Sequence, residues 1–445
     1  MKIPPNAWPN TDASSGTLFV AQLLQEMLED NTFESFRAFS LDTPIRLAEG
    51  IAVLRDIRRN RIKQQAFDPI KDELLWSLKK DPVAEALIME HISLFEQDAS
   101  SNKTSLDTYN KHLTTFRRVL IPRYKEECEK RILELFANKG RRIELRQVVG
   151  FYCSHLLNSG YSKSYLLRKV NDTFFARPIK RAGRKSLVGF FHGITAKNRK
   201  FVVYAAVDPG CASFMGKLDL GKIYSQLGDV PNEIAPRLGA ALPLAQGQSY
   251  AAMDAECKDE DSAVALTLMM LSSIRALAML VPNVSFGEWH KSMYVLKARS
   301  AEGVLLDTRA LPLNRGPVRR AIGAVDYAKK ILSNFDQRST NRMLGCLRTS
   351  SLARSSTSIE NQLISLWSAI EVLLSEPPEN VPRIVHYIDL LLPLVCLRYS
   401  RRHFIAVYDG LLLAYRRKFK ELLKQEAVMV DVDHHTRFAA LICLT

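Results

Sequence analysis

Near the C-terminal end, Asp431-Val432-Asp433-His434-His435 places two carboxylates and two imidazoles within five residues. These are the oxygen and nitrogen ligand types that hold a divalent cation. A metal centre also draws ligands from elsewhere in a chain, and no companion aspartate motif precedes this one in a strand context. The segment therefore reads as a polar loop between two helices, and no metal is expected. Seven cysteines (Cys128, Cys153, Cys211, Cys257, Cys346, Cys396 and Cys443) are widely spaced without a C-x-x-C pair, which indicates neither a disulfide framework nor a cysteine zinc site. The sequence has no G-x-x-x-x-G-K-[ST], G-x-G-x-x-G or G-x-S-x-G; Gly216 to Lys222 comes nearest to the first but is followed by Ile223, which lacks the hydroxyl that would hold Mg²⁺. These absences argue against a P-loop nucleotidase, a Rossmann enzyme and an α/β-hydrolase, and no cofactor is expected. His192 and the Trp289-His290 pair read as surface or packing residues.

Charge is more informative than these motifs. The 445 residues carry 62 Lys+Arg against 47 Asp+Glu, a formal net charge of +15. A field of that sign attracts phosphate backbones before any specific contact forms, so nucleic acid is the first partner to consider. Hydrophobic residues make up 47% and charged residues 24%, the proportions of a chain that folds. No stretch has signal-peptide character or about 18 uninterrupted apolar residues, so no membrane partner and a cytoplasmic location are expected.

The elements that must position any site are mostly helical. From about Thr17 to Lys139, apolar residues recur near the 3.6 period, as in Phe19, Leu23, Leu24 and Met27, then Ile45, Leu47, Ile51 and Leu54, then Val83 to Leu94. Pro122 should divide the long charged segment Leu106 to Phe136. Ile143 to Leu157, a stop at Gly160 and a second helix capped by Ser162 have the outline of a helix-turn-helix, with Arg141, Arg142, Arg146, Arg168 and Lys169 as its basic face. Arg177 to Lys185 is a cationic loop. Beyond it, Phe201–Val207 reads as a strand closing on an Asp208-Pro209-Gly210 turn, Ser292–Ala298 and Gly303–Arg309 as later strands, and Asp259–Leu280 as a helix with acidic residues in its first turn. The helical pattern returns from Val318. Arg348 to Ser358 reads as a mobile, serine-rich connection, and Thr357 with Glu360 as a capping box for a helix carrying Leu363, Leu366, Trp367, Ile370, Leu373 and Leu374 on one stripe. Two helices follow, about Pro382 to Leu397 and Arg401 to Gln425. The expected fold is mainly α: a helical N-terminal domain over 1–140, a helical then mixed α+β region over 141–315, and a helical bundle over 316–445.

The string IENQLISLWSAIEVLL (Ile359–Leu374), a proline-rich break, and RIVHYIDLLLPLVCLRYSRRHF (Arg383–Phe404) resemble the Apea-like branch of the HEPN superfamily. The resemblance covers about a quarter of the chain, and its most specific piece is L-W-S-A-I-E. It implies a helical bundle that dimerises and cuts RNA without a metal, in a bacterial defence or toxin setting. In that family an Arg and a His with four to six residues between them face their dimer mates in a cleft. The RNA 2′-hydroxyl attacks, the His moves protons near neutral pH, and the Arg stabilises charge on phosphorus oxygens. On this sequence the resemblance assigns those roles to Arg398 and His403, with Glu371 orienting the Arg. The family motif normally lies on a later, Asn-flanked helix, and the reading expects the bundle to be cut short before it. Arg398 and His403 then belong to a basic face that, with Arg401, Arg402, Arg416, Arg417 and Lys418, should bind RNA in a salt-dependent way. The alternative function is a non-catalytic helical scaffold or sensor that binds nucleic acid or a partner protein.

Overall fold

Aspartate and proline start several of the N-terminal helices. Asp42 caps α3 (Thr43–Arg58), which has Pro44 in its first turn, and Asp81 caps α5 (Pro82–Ser100), which opens on Pro82. An aspartate at N-cap satisfies a free N–H group, and a proline in the first turn loses nothing because its missing N–H had no partner there. The computed structural model describes residues 12–29, 32, 34–38, 40–101, 104–176, 183–195, 197–217, 221–278, 292–297, 302–307, 336–356, 358–374, 376–378, 383–414 and 419. Among these the fold is mainly α-helical with one small antiparallel sheet. Two compact units divide the chain: Met1–Ala196 with Arg398–Thr445, and Lys197–Leu397.

In the first unit, α1 (Asp12–Leu28), α2 (Ser35–Ala38), α3, α4 (Asp68–Lys80), α5, α6 (Leu106–Leu120), α7 (Tyr124–Leu135), α8 (Arg142–Asn158), α9 (Lys163–Val170) and α10 (Arg184–His192) surround one apolar core. That core runs from Val20 to Ile194, across the boundary drawn at residue 140, because α8 packs on both α1 and α7. Pro122 separates α6 from α7 as the sequence indicates. The α5 helix bends at Ile88, whose φ of −140° and ψ of 24° are not helical. Gly160 ends the α8 turn at φ 100°, and the Ser162 hydroxyl accepts from the Tyr165 N–H at 3.0 Å to start α9. The cationic loop at Arg177–Lys185 lies largely outside the described residues.

The second unit holds a five-stranded sheet in the order β2-β3-β1-β4-β5, every neighbouring pair antiparallel: β1 (Arg199–Val207), β2 (Lys222–Tyr224), β3 (Ser249–Cys257), β4 (Ser292–Lys297) and β5 (Gly303–Asp307). Phe201, Val203, Ala205 and Val207 face one core, with α11 (Pro209–Lys217) and α13 (Glu260–Ala278). Tyr204 and Ala206 face another, with Leu238 of α12 (Ala235–Ala241). A strand covered on both sides reads as a continuous apolar run, as β1 does.

Four local expectations differ from the structure. Asp208-Pro209 starts α11 instead of forming a turn: the Asp208 carboxylate accepts from the Cys211 N–H at 2.8 Å, a helix cap. Arg348 to Ser355 is helical, being the second half of α14 (Gln337–Ser355), which Asp336 caps. The cap of α15 (Ile359–Leu373) is Ser358, whose hydroxyl accepts from the Asn361 N–H at 3.3 Å, while Thr357 lies outside the described residues. The two final helices expected from the sequence are one, α16 (Arg383–Ala414), which continues through Pro393. Residues 308–335 and 420–445, with the helical pattern read from Val318 and the Asp431–His435 cluster, lie outside the described residues.

Candidate nucleic-acid interface

A continuous α16 decides how Arg398 and His403 relate. Successive residues of an α-helix turn by about 100°, so positions five apart sit about 140° from each other around the axis. The two positions therefore lie on different sides of the helix axis. His403 is 3% exposed, and its ring meets that of Tyr399 edge-on at a centroid distance of 3.9 Å. Burial holds the imidazole below its ordinary pKa. Burial first, and then the charge of Glu34, push the Tyr399 phenol up. Arg401 and Arg402 follow Arg398 at helical steps of three and four, which puts all three positions on one side of the α16 backbone. Glu371 meets the Arg383 guanidinium at 3.4 Å, an exposed ion pair between the end of α15 and the start of α16. Arg416, Arg417 and Lys418 lie outside the described residues. Among the described residues no group of three His, Cys, Asp or Glu could hold a metal ion.

The helix pair α8–α9 uses its cations internally. Arg141 pairs with Glu144, and Arg146 with Glu34, which also holds Arg37 at 2.6 Å. Arg142 stacks over Phe19 at 4.6 Å and Arg168 over Tyr165 at 5.8 Å. Of these contacts, Arg142 on Phe19 ties α8 to α1, and Arg146 on Glu34 ties it to the residue before α2.

Sequence reasoning missed a buried polar network. The Asp81 carboxylate accepts from the Thr43 hydroxyl at 2.5 Å, from the Tyr124 phenol, and from the backbone N–H groups of Val83 and Ala84 at 3.0 and 3.3 Å. Ser77 joins Thr43 at 2.9 Å and accepts from Arg46 at 3.2 Å, while Arg46 also donates to Glu73 at 2.8 Å. Desolvation raises the Asp81 pKa despite these bonds. Burial first, then the charges of Asp81 and Asp42, push the Cys128 thiol well up, so it stays protonated. The signal that could have exposed this network is an aspartate followed within two residues by a proline at two helix starts, Asp42-Thr43-Pro44 and Asp81-Pro82.

Next to it, Asp42 holds His155 Nδ1 at 2.5 Å, and His155 Nε2 lies 3.5 Å from the Ser159 hydroxyl. The order Asp-His-Ser is that of an activated nucleophile. Here the neighbouring backbone donors are occupied, Gly160 N–H on the Leu157 carbonyl and Tyr161 N–H on that of Leu156, so they offer no oxyanion hole. Asp42 at the same time caps α3 through the Ile45 N–H at 2.9 Å, so the arrangement is a helix-end clamp between α3 and α8.

A second feature absent from the sequence reading is a cleft of about 620 Å³ where α3 ends, bordered by Arg58, Arg61 and Lys63. No family model matches the chain, and no curated protein or solved structure matches it either.

Proposed function

We propose that this protein is an RNA-binding helical scaffold that acts as a dimer and performs no chemistry at Arg398 and His403. The observation that carries the reading is the make-up of α16. Its first half exposes Val385, Ile388, Leu392 and Val395, and the arginine positions 398, 401 and 402 follow directly on the same helix. The sequence of this helix thus carries an apolar stretch suited to a second copy and a cationic stretch suited to phosphate. The net charge of +15 supports a polyanionic ligand. The resemblance of Ile359–Leu374 and Arg383–Phe404 to Apea-like HEPN bundles supports RNA as that ligand. The burial of His403 favours binding over cleavage.

The test is binding of labelled single-stranded RNA by the purified chain across a salt series, followed by gel analysis of the recovered RNA. Affinity should fall about 300-fold or more between 50 and 200 mM salt if six or more phosphates are contacted, with the RNA recovered intact. A flat salt response would remove nucleic acid as the ligand. Cleavage that disappears in His403→Ala would restore the catalytic roles.

A further inference from the structure

We infer that the cleft at the end of α3 is a phosphate-binding contact for single-stranded RNA, separate from the arginines of α16. The inference rests on the RNA-binding reading and gives it a second location, in the N-terminal helices. Arg55, Arg58, Arg59, Arg61 and Lys63 place five cations in nine residues. Two carboxylates oppose them: Asp107 pairs with Arg58, and Asp56 with Arg61 at 3.3 Å. Of the five, Arg58, Arg61 and Lys63 border the cleft, three cations against those two carboxylates. Both pairs are exposed, where an ion pair is worth little and a phosphate competes for the guanidinium.

Helix stability accounts for only part of this cluster. Cations in the last turn favour the negative end of the helix dipole, which explains Arg55, Arg58 and Arg59. That effect fades within one turn and does not reach Arg61 or Lys63. The chain there is also fixed in place. Asn60 adopts φ 55°, its N–H bonds the Ile57 carbonyl at 2.9 Å, and the Arg61 N–H bonds the Asp56 carbonyl at 2.9 Å. This pair of bonds closes a helix with a left-handed residue and leaves the following cations on a defined turn. A pre-set turn lowers the entropy lost when a ligand is held.

The same rim carries groups that phosphate alone would not need. Gln64 and Gln65 border the cleft with exposed carboxamides, which can both donate to and accept from a base edge, and Ile62 presents an apolar surface at 39% exposure. Cations beside amides and an apolar contact suit a strand whose bases are unpaired, whereas a duplex would offer this loop only its phosphates and groove edges.

The experiment compares the full chain with Arg61→Gln/Lys63→Gln for binding to a single-stranded RNA and to a DNA duplex of equal length, over a salt series. Loss of two phosphate contacts should weaken RNA binding about tenfold at low salt and reduce the slope of log K against log salt by about 1.4. Thermal melting should stay unchanged, since both side chains are exposed. Unchanged affinity and slope in a parent that binds RNA would overturn this cleft while leaving the proposed function standing. A parent that binds no RNA would overturn that function itself. Equal binding of the duplex, weakened equally by the substitutions, would overturn the assignment to single strands.

Discussion

His403 lies edge-on against Tyr399 one turn earlier on α16, with ring centroids 3.9 Å apart. A buried ring in such contact contributes packing, so His403→Ala should lower unfolding stability by about 2 kcal/mol. His403→Phe should retain most of it, and RNA affinity should stay within about twofold of the parent in both variants. The pH dependence follows from the lowered pKa. The folded state binds fewer protons than the unfolded one below the ordinary histidine value of 6.5, so stability present above that pH is lost as pH falls through the folded pKa. Urea midpoints at pH 7.5 and 5.5 should therefore diverge in the parent and less so in His403→Phe. Equal divergence in the two would remove this residue as the source.

Asp81 shows the opposite sign. Its folded pKa is raised above 3.8 by burial, so between those two values the folded state holds more protons, and its contribution falls as pH rises through that window. Asp81→Asn keeps an acceptor for the Val83 and Ala84 N–H groups and should flatten this slope in denaturant titrations between pH 4 and 7. Asp81→Ala removes the cap and strands the Tyr124 and Thr43 hydroxyls, and should cost about 2–4 kcal/mol. An alanine variant as stable as the asparagine one would mean that the network carries no such weight.

Local signals with one meaning were legible in the sequence. Pro122 divides α6 from α7, Ser162 caps α9, and Phe201–Val207 is the central strand of the sheet. Signals with two meanings were not. Asp-Pro serves a turn or a helix cap, and the Cys211 N–H at Asp208 decides for the cap. The β3 strand is paired along β1, yet Ala251, Ala252 and Ala255 give it the composition of a helix, and tertiary pairing overrides that preference. The stripe Leu363–Trp367 has a helical period but cannot say what covers it: on α15 it is Gln362 and Ala369 that are buried, while Leu363 stays 68% exposed. For the site, spacing proposed Arg398 and His403, but only an unbroken helix shows them about 140° apart.

Gly16 marks the closest approach within the N-terminal helices. A Cβ there would stand 1.8 Å from the Phe136 carbonyl oxygen, so α1 meets the end of α7 through bare backbone. Gly16→Ala would ordinarily help a helix by up to about 1 kcal/mol. Here backbone must move, and a net loss of about 1–3 kcal/mol is expected. A thermal melt showing Gly16→Ala more stable than the parent would mean that the two helices do not pack this closely.

The apolar half of α16 makes the most direct prediction about assembly. Val385, Ile388, Leu392 and Val395 recur at steps of three, four and three, the spacing of a helix seam that packs against another helix. All four are exposed, Ile388 at 52% and Val395 at 59%, and Leu363 and Ile364 of α15 add exposed apolar surface to the same unit. Apolar area of this kind is stabilised by removal from water at roughly 25 cal/mol per Å². A seam of identical residues complements itself, which makes a second copy the natural occupant. Ile388→Asp/Leu392→Asp would bury two unpaired carboxylates in that contact and should raise the dimer dissociation constant at least about 100-fold. Light scattering across a concentration series checks this: the parent should reach twice the mass of one chain, and the double variant should remain at one. A parent that stays monomeric at every concentration, or a variant that still dimerises, would show that this seam is not the dimer contact.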